Sequence, residues 1–415
     1  MMKRLATYSD RLDHGPHIIP IHKGLTFHCP RTGAAFVDTR KLKLGASRLP
    51  SISLFSGAGG MDIGLEQAGF HKALCIEIDA DCRATLRHNR PEWIVPGDEA
   101  GGSGDITLTD PDALLDLLGV ARGEVGVVSG GAPCQPFSNM GKKLGSKDPK
   151  NGDLFQHFAR IVDGTRPHTF IFENVSGLSQ DRHSDVLEYM RERFEKSGYK
   201  LSSAIFNAAD YGVAQKRKRF ILLGTRDTTP ILPLPTHSAS AGTTLDFCDS
   251  LEPRPNLRLP RWKSVDVALG ELSEERLARR DNIGMRHAAY MVERMKLVEP
   301  GKNFKSLPMS ARPDCWKNGK HQGHDTFGRI VGSDPAPTIR TAGYNPTKGR
   351  YIHPSEDRGL TTAEMAALQG FPQEWEFRTT SGKASIVSIG RQIGNAVPPP
   401  LAKHLGLALR FAAGV

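Results

Sequence analysis

Residues 51–60, Ser-Ile-Ser-Leu-Phe-Ser-Gly-Ala-Gly-Gly, constrain this chain more than any other stretch. The first five read as a short buried strand. Residues 61–68 follow as a helix, and Gly69 supplies the left-handed residue that ends it. Strand, glycine turn and helix form the opening unit of a doubly wound α/β sheet. The glycines let a ligand approach the backbone closely, and the helix N-terminus favours negative charge. A second apolar strand, 73–78, brings Glu77 and Asp79 to its end. An acidic residue about 20 positions after the first glycine suits ribose hydroxyls. The glycine spacing is not a clean G-x-G-x-x-G, so this turn fits either a nicotinamide dinucleotide or another adenosine cofactor such as S-adenosylmethionine.

The second organising stretch is Gly130-Gly-Ala-Pro-Cys-Gln-Pro-Phe-Ser138. An apolar run, 125–128, leads into it as a strand. Two glycines, and two prolines flanking Cys134, make a stiff loop at that strand's carboxyl end, where open α/β sheets bind ligands. A cysteine held there is a candidate nucleophile; a buried structural thiol is the plainer alternative. Residues 139–152 are rich in Gly, Lys, Ser, Asp and Asn and read as a basic lid beside Cys134.

Other strands are expected at 169–172, 201–207 and 220–225, with helices at 80–89, 112–118, 153–164, 184–196 and 401–413, and a further helix opened by the capping box Thr361-Thr-Ala-Glu364 and ended at Gly370. Glu173 and Asn174 stand at the end of strand 169–172. Asp105, in Gly-Asp-Ile-Thr at 104–107, could reach an adenine amino group or cap the helix at 112–118. In Gln215-Lys-Arg-Lys-Arg219, strand alternation puts Gln215, Arg217 and Arg219 on one face.

Composition bounds the rest. The 415 residues suffice for two or three domains, and no apolar run approaches the ~18 residues of a membrane helix. Six scattered cysteines point to reduced thiols in a cytoplasm. The net charge of +10 favours an anionic partner, nucleic acid before a membrane surface. Residues 1–50 form a basic, partly irregular extension: nine Lys/Arg stand against three Asp. They could meet a phosphate backbone or pack as a tail on the main domain. Residues 51–225 read as the catalytic and cofactor-binding domain. Residues 226–345, rich in Pro, Gly and Arg, read as a second, irregular domain with helices near 265–280 and 285–298. Residues 346–415 return to the first. Neither His22, His28 and Cys29 nor Cys315, His321 and His324 have the paired spacing of a metal site, so no metal is expected.

One cleft can therefore hold a thiol (Cys134), a carboxylate (Glu173), guanidinium groups (Arg217, Arg219) and an adenosine cofactor. That set suits covalent addition to an electron-poor heterocycle. Thiolate attack at C6 of cytosine, with N3 protonated by a carboxylic acid, turns C5 into an enamine-like carbon that can take a methyl group. Loss of the C5 proton then expels the cysteine. A base inside a duplex is out of reach, so it must be flipped out.

With these residues in place, the sequence resembles the bacterial-type DNA (cytosine-5) methyltransferases. The segments that carry the resemblance run in the family's order: SLFSGAGGMDIGL (53–65), CIEID (75–79), GDIT (104–107), GGAPCQPFS (130–138), GDLF (152–155), FENV (172–175), NAADYGVAQKRKRF (207–220), LTTAEMAALQGFP (360–372) and GRQIGNAVPPPLA (390–402). The resemblance implies a doubly wound Rossmann-like methyltransferase domain with a smaller target-recognition domain at 226–345. It implies Cys134 as nucleophile, Glu173 as the acid at N3, and Asn174 ordering the adjacent loop. Arg217 would contact the flipped base, Arg219 would support it, and Gln215 would share their face. S-adenosylmethionine would lie on Phe55, Gly57 and Gly59, its ribose on Glu77 and its adenine near Asp105 and Ile106. Pro133, Leu154, Asn395 and Ala396 would close that pocket, and the C-terminal helix would pack back beside the first strand. Ile78 stands where some members place an aromatic ring. The implied partner is double-stranded DNA, with the enzyme a prokaryotic monomer and a cognate restriction endonuclease acting separately. The rival readings are an RNA methyltransferase, a catalytically dead DNA-binding homologue and a nicotinamide dehydrogenase. The last leaves Cys134 unexplained.

Overall fold

The computed structural model describes residues 25–30, 32–45, 47, 49–97, 104–132, 154–179, 184–241, 251, 258–317 and 325–415. Its strands are β1 (Thr26–His28), β2 (Ala35–Val37), β3 (Pro50–Leu54), β4 (His71–Ile76), β5 (Val127–Gly130), β6 (Thr169–Val175), β7 (Lys200–Asn207), β8 (Lys218–Thr225) and β9 (Leu232–Pro233). The main sheet has the order β4-β3-β5-β6-β8-β7. Four neighbours, β4, β3, β5 and β6, are parallel, and β8 runs antiparallel between β6 and β7. The chain leaves β3 on one side for β4 and returns to its other side as β5. The strand order thus reverses at β3, the place where such sheets bind ligands.

Both faces of the sheet are covered, which is why its strands are apolar almost throughout. On one face lie helices α3 (Pro111–Leu118), α4 (Leu154–Thr165) and α5 (Ser184–Lys196), numbered after α1 (Gly60–Gln67) and α2 (Ala80–Asn89). Phe155, Phe158, Phe194, Phe170 and Phe172 meet there, mostly edge to face, as in the Phe155–Phe172 and Phe158–Phe172 pairs. Such pairs add about 0.5–1.5 kcal/mol each beyond area burial. On the other face, Met61 and Leu65 of α1 join Leu401, Leu405 and Leu409 over Val127, Ile171, Ile221 and Leu223. These leucines belong to the last helix, Pro399–Ala413, which therefore crosses back onto α1, the helix after β3. The approach is close: a Cβ on Gly64 would lie 2.5 Å from both Ala402 Cβ and the Pro399 carbonyl.

The segment 25–45 is more ordered than its composition suggests. Strands β1 and β2 pair antiparallel, and β2 pairs in parallel with β9. Val37 and Ile231 pack on Ala408 and Ala412 of the C-terminal helix. The Thr39 hydroxyl lies 2.8 Å from His404 Nδ1. Cys29 sits in an apolar cluster with Phe27, Leu234, Leu251 and Leu259.

Residues 258–353 make a looser unit with short helices α6 (Val265–Gly270), α7 (Glu274–Ala278), α8 (Ala289–Lys296) and α9 (Asp314–Lys317). Its small core is Met295, Val298, Phe304, Leu307, Phe327 and Ile352. Buried Arg329 binds it together, donating to the carbonyls of Met295, Val298, His353 and Glu356 and to Asp357. Three further helices complete the chain: α10 (Thr362–Gln369), α11 (Ile386–Asn395) and α12 (Pro399–Ala413). Thr361 and Glu364 form the expected capping box of α10. Helix α11 is not among the helices expected from the sequence. Its glycines face backbone rather than opening a turn: a Cβ on Gly394 would lie 2.3 Å from Thr341 N, and one on Gly390 2.6 Å from Thr341 O.

Candidate active site at the carboxyl end of the sheet

Strand β3 ends in a strained turn. Phe55 has φ +57°, unusual for an aromatic residue, followed by Gly57 at +57° and Gly59 at +83°. Gly59 has no room for a side chain, since a Cβ would lie 2.8 Å from Leu86 and 3.1 Å from Trp375. Gly57 faces open space. Glu77 braces the turn from the end of β4. Its Oε2 accepts the Gly57 N–H at 2.7 Å, and its Oε1 accepts the Asp79 N–H at 2.8 Å. Burial pushes this carboxyl above its ordinary range, and the two N–H donors pull it back. Asp79 caps α2 and is paired with Arg391 of α11 at 2.6 Å.

Among the residues expected to meet an adenosine cofactor, one alternative is settled. The cap of helix α3 is Asp110, not Asp105. Asp105 Oδ1 instead accepts the Thr107 N–H at 2.9 Å. Ile106 is buried, whereas Ile78 is 69% exposed beside Glu77. Leu154 opens α4 and packs on the main core. Ala396 lies against the turn, its Cβ 3.0 Å from where a Gly60 side chain would start. Asn395 ends α11 with its side chain exposed.

The second half of the site is built by β5, β6 and β8. Register places Gly130 beside Phe172, so Gly131 falls next to Glu173. A Cβ on Gly131 would lie 2.5 Å from Glu173 Oε2. Asn174 Nδ2 donates to the Ala132 carbonyl at 3.1 Å and fixes the start of the loop. Pro133, Cys134 and the basic stretch 139–152 lie outside the described residues.

Across the sheet, Arg219 Nε meets Glu173 Oε1 at 2.7 Å, with both side chains largely buried. Burial raises the Glu173 carboxyl above its ordinary range, against the pull of Arg219 and Arg217. Alternation from Gln215 to Arg219 is as expected, with Lys216 and Lys218 exposed. The alternating residues diverge, however. Arg217 donates to the carbonyls of Ile339 (3.1 Å) and Gly394 (3.0 Å). Its buried Nε has no partner among the described residues. Burial and the like charge of Arg219 press this guanidinium below its usual range. Gln215 turns to α10: Nε2 donates to Leu368 O and Gln369 Oε1, and Oε1 accepts the Ile339 N–H. Gln369 passes the contact on to the Ala396 carbonyl. Residue 339 is therefore clamped to residues 394–396 through Arg217, Gln215 and Gln369.

One group of ligand-type side chains comes together away from this cleft: His353, Glu356 and Glu364. Arg358 pairs with both carboxylates, at 2.8 and 2.6 Å, so one guanidinium already occupies both. His321 and His324 lie outside the described residues.

A doubly wound sheet with a glycine turn at its switch point is the frame of a ligand-binding α/β enzyme, and a charged pair, Glu173 and Arg219, stands further along the same sheet. The sequence profile described as C-5 cytosine-specific DNA methylase matches residues 49–410, and the chain belongs to that family. It is a DNA cytosine-5 methyltransferase. Type II methyltransferase M.PspPI of Psychrobacter sp. is 34% identical over 367 residues, 86% of this chain and 78% of the relative. M1.HphI of Haemophilus parahaemolyticus is 32% identical, covering 87% and 86%. A prophage-encoded DNA modification methyltransferase (E. coli) has a similar fold, with TM-score 0.62 at 21% identity over 88% of this chain and all of that one. Spodoptera frugiperda DNMT2 is similar at TM-score 0.55 and 15% identity, covering 87% and 99%.

Proposed function

We propose that this enzyme transfers a methyl group from S-adenosylmethionine to C5 of a cytosine flipped out of a specific duplex sequence, through a covalent bond between Cys134 and C6. The observation that supports it most is the place of Glu173: beside Gly131 at the head of the Cys134 loop, and paired with Arg219. The cleft fits the cofactor. Gly57 opens onto free space and Glu77 holds two carboxylate oxygens at its edge. Phe55, Gly57, Gly59, Glu77, Asp105, Ile106, Pro133, Leu154, Asn395 and Ala396 would hold it. When bound, it supplies an electrophilic methyl group.

The chain's own residues do the rest. Cys134 Sγ, as thiolate, forms the bond to C6 while Glu173 gives its proton to N3, so the ring's electrons collect at C5. Arg219, already on Glu173, would donate to the base oxygen and offset the charge that builds there. Arg217, which the resemblance puts on the base, donates instead to residues 339 and 394 and would keep this arrangement in shape, with Gln215 beside it. After methylation, loss of the C5 proton restores the C5–C6 double bond and releases the thiolate. Asn174 orders the loop throughout.

The basic stretch 139–152 would close over the DNA, and 226–345 would read the flanking bases. The enzyme would act as a monomer in a prokaryotic cytoplasm, beside a separate cognate endonuclease, as the names of its Type II relatives suggest. No helix among the described residues is long and apolar enough to cross a membrane. Transfer of labelled methyl from the cofactor to duplex DNA, followed by bisulfite sequencing, tests the reading. Incorporation at one sequence context, abolished in Cys134→Ser, is expected. No incorporation into any DNA would sink it.

A further inference from the structure

Helix α1 carries an acid that the mechanism above does not use. Asp62 is 2% exposed, in the first turn of the helix that follows the glycine turn. Its Oδ1 accepts from the Cys75 thiol at 3.5 Å, and the Ser53 hydroxyl also reaches it. Its Oδ2 is buried without a partner among the described residues. Ser53 and Cys75 are in register on β3 and β4, and Ser129 is in register with Ser53 on β5. Ser129 Oγ is likewise buried without a partner among the described residues. A polar patch therefore lies beneath Ser56–Gly59, in a sheet that is otherwise apolar.

A carboxylate buried with one oxygen unsatisfied is costly, and where it persists a role is expected. The groups acting on Asp62 are the Ser53 hydroxyl from β3, the Cys75 thiol and Glu77 carboxylate from β4, and its own backbone N–H. No ion pair to it is found among the described residues. Burial holds the Cys75 thiol protonated, so it stays a donor. A negative charge here has hydrogen-bond donors but no cation beside it among the described residues, and it lies under the glycine turn.

We propose that Asp62 is a positioning residue whose buried carboxylate makes this turn prefer a sulfonium ligand over a neutral thioether of the same shape. The inference rests on the cofactor reading above. S-adenosylmethionine carries one more positive charge than S-adenosylhomocysteine. In a partly desolvated site, a unit charge several ångströms away is worth about a tenfold difference in affinity. Burial pushes the Asp62 carboxyl up to about 6. The charge is therefore present at neutral pH and lost as pH falls through about 6. Glu77, also raised by burial, titrates in the same sense. The contribution of Asp62 is thus the difference between wild type and Asp62→Asn.

The test is calorimetric binding of both ligands to the full chain from pH 5 to 8. At pH 7.5 the ratio of the two dissociation constants should be about tenfold more favourable to the sulfonium in wild type than in Asp62→Asn, and the gap should close by pH 5. Cys75→Val removes the thiol donor, so the midpoint of the wild-type pH dependence should move upward. That variant decides the matter if Asp62→Asn fails to fold. Equal ratios at pH 7.5, equal weakening of both ligands, or an unmoved midpoint in Cys75→Val would each overturn the proposal. Wild type binding neither ligand would overturn the cofactor reading itself, and this proposal with it.

Discussion

Arg219 closes on Glu173 at 2.7 Å, joining β8 to β6 at the mouth of the cleft. The pair sets opposing influences on one proton: burial raises the Glu173 carboxyl and Arg219 lowers it. An acid at N3 must be protonated, so kcat/KM should fall as pH rises through the Glu173 pKa. In Arg219→Met the lowering influence is gone, and that fall should move to higher pH. Glu173→Gln should still bind duplex DNA but transfer methyl about 10²–10⁴-fold more slowly. Unchanged turnover would remove Glu173 from its role.

Gly131→Ala separates activity from stability. Its Cβ would press on Glu173 Oε2, the far end of a side chain that can move away. We expect an unfolding free energy within about 1 kcal/mol of wild type, but kcat lower by tenfold or more, since misplacement of about 1 Å can cost 10² in rate. Steady-state kinetics beside urea unfolding measures both.

The Gln215–Gln369 clamp predicts a coupled loss. Gln369→Leu leaves the Ala396 carbonyl without its donor and should destabilise by about 1–3 kcal/mol. Because the two glutamines share a hydrogen bond, Gln215→Leu and Gln369→Leu should be non-additive by about 0.5–3 kcal/mol. A double-mutant cycle in urea reads this directly, and simple additivity would show that the clamp carries no energy.

The attachment of segment 25–45 should be acid-sensitive. Burial pushes His404 down to about 4, below its usual 6.5. The folded state then binds fewer protons than the unfolded one. The contribution is present above 6.5 and is lost as pH falls toward 4, to a limit of about 3 kcal/mol. His404→Asn should flatten that part of the stability curve between pH 4 and 6.5.

Local rules carried most of the sheet and its helices. Glycine ends, apolar runs and the Thr361 capping box placed the main elements close to where they lie. Helix α11 escaped because Gly390 and Gly394 are poor helix formers, whereas their role is close contact with Thr341, a long-range fact. The short strands β1, β2 and β9 escaped because three or two residues each carry no period. Alternation predicted correctly that Gln215, Arg217 and Arg219 share an inner face, yet not that each would meet a different partner. Those partners, Glu173, Gly394 and Gln369, are distant in sequence and are set by tertiary packing. Asp62 offered no signal at all, since a single acid in a helix usually faces water.

The most direct measurement uses a duplex carrying 5-fluorocytosine at the methylated position. Fluorine at C5 blocks the final elimination, so an enzyme that works through a C6 thioether should remain joined to its DNA. Mass spectrometry of the digested complex should find the base on the peptide containing Cys134, after methyl transfer, and none in Cys134→Ser. Full methylation of ordinary DNA with no trapped peptide, or a trap on another residue, would contradict the account.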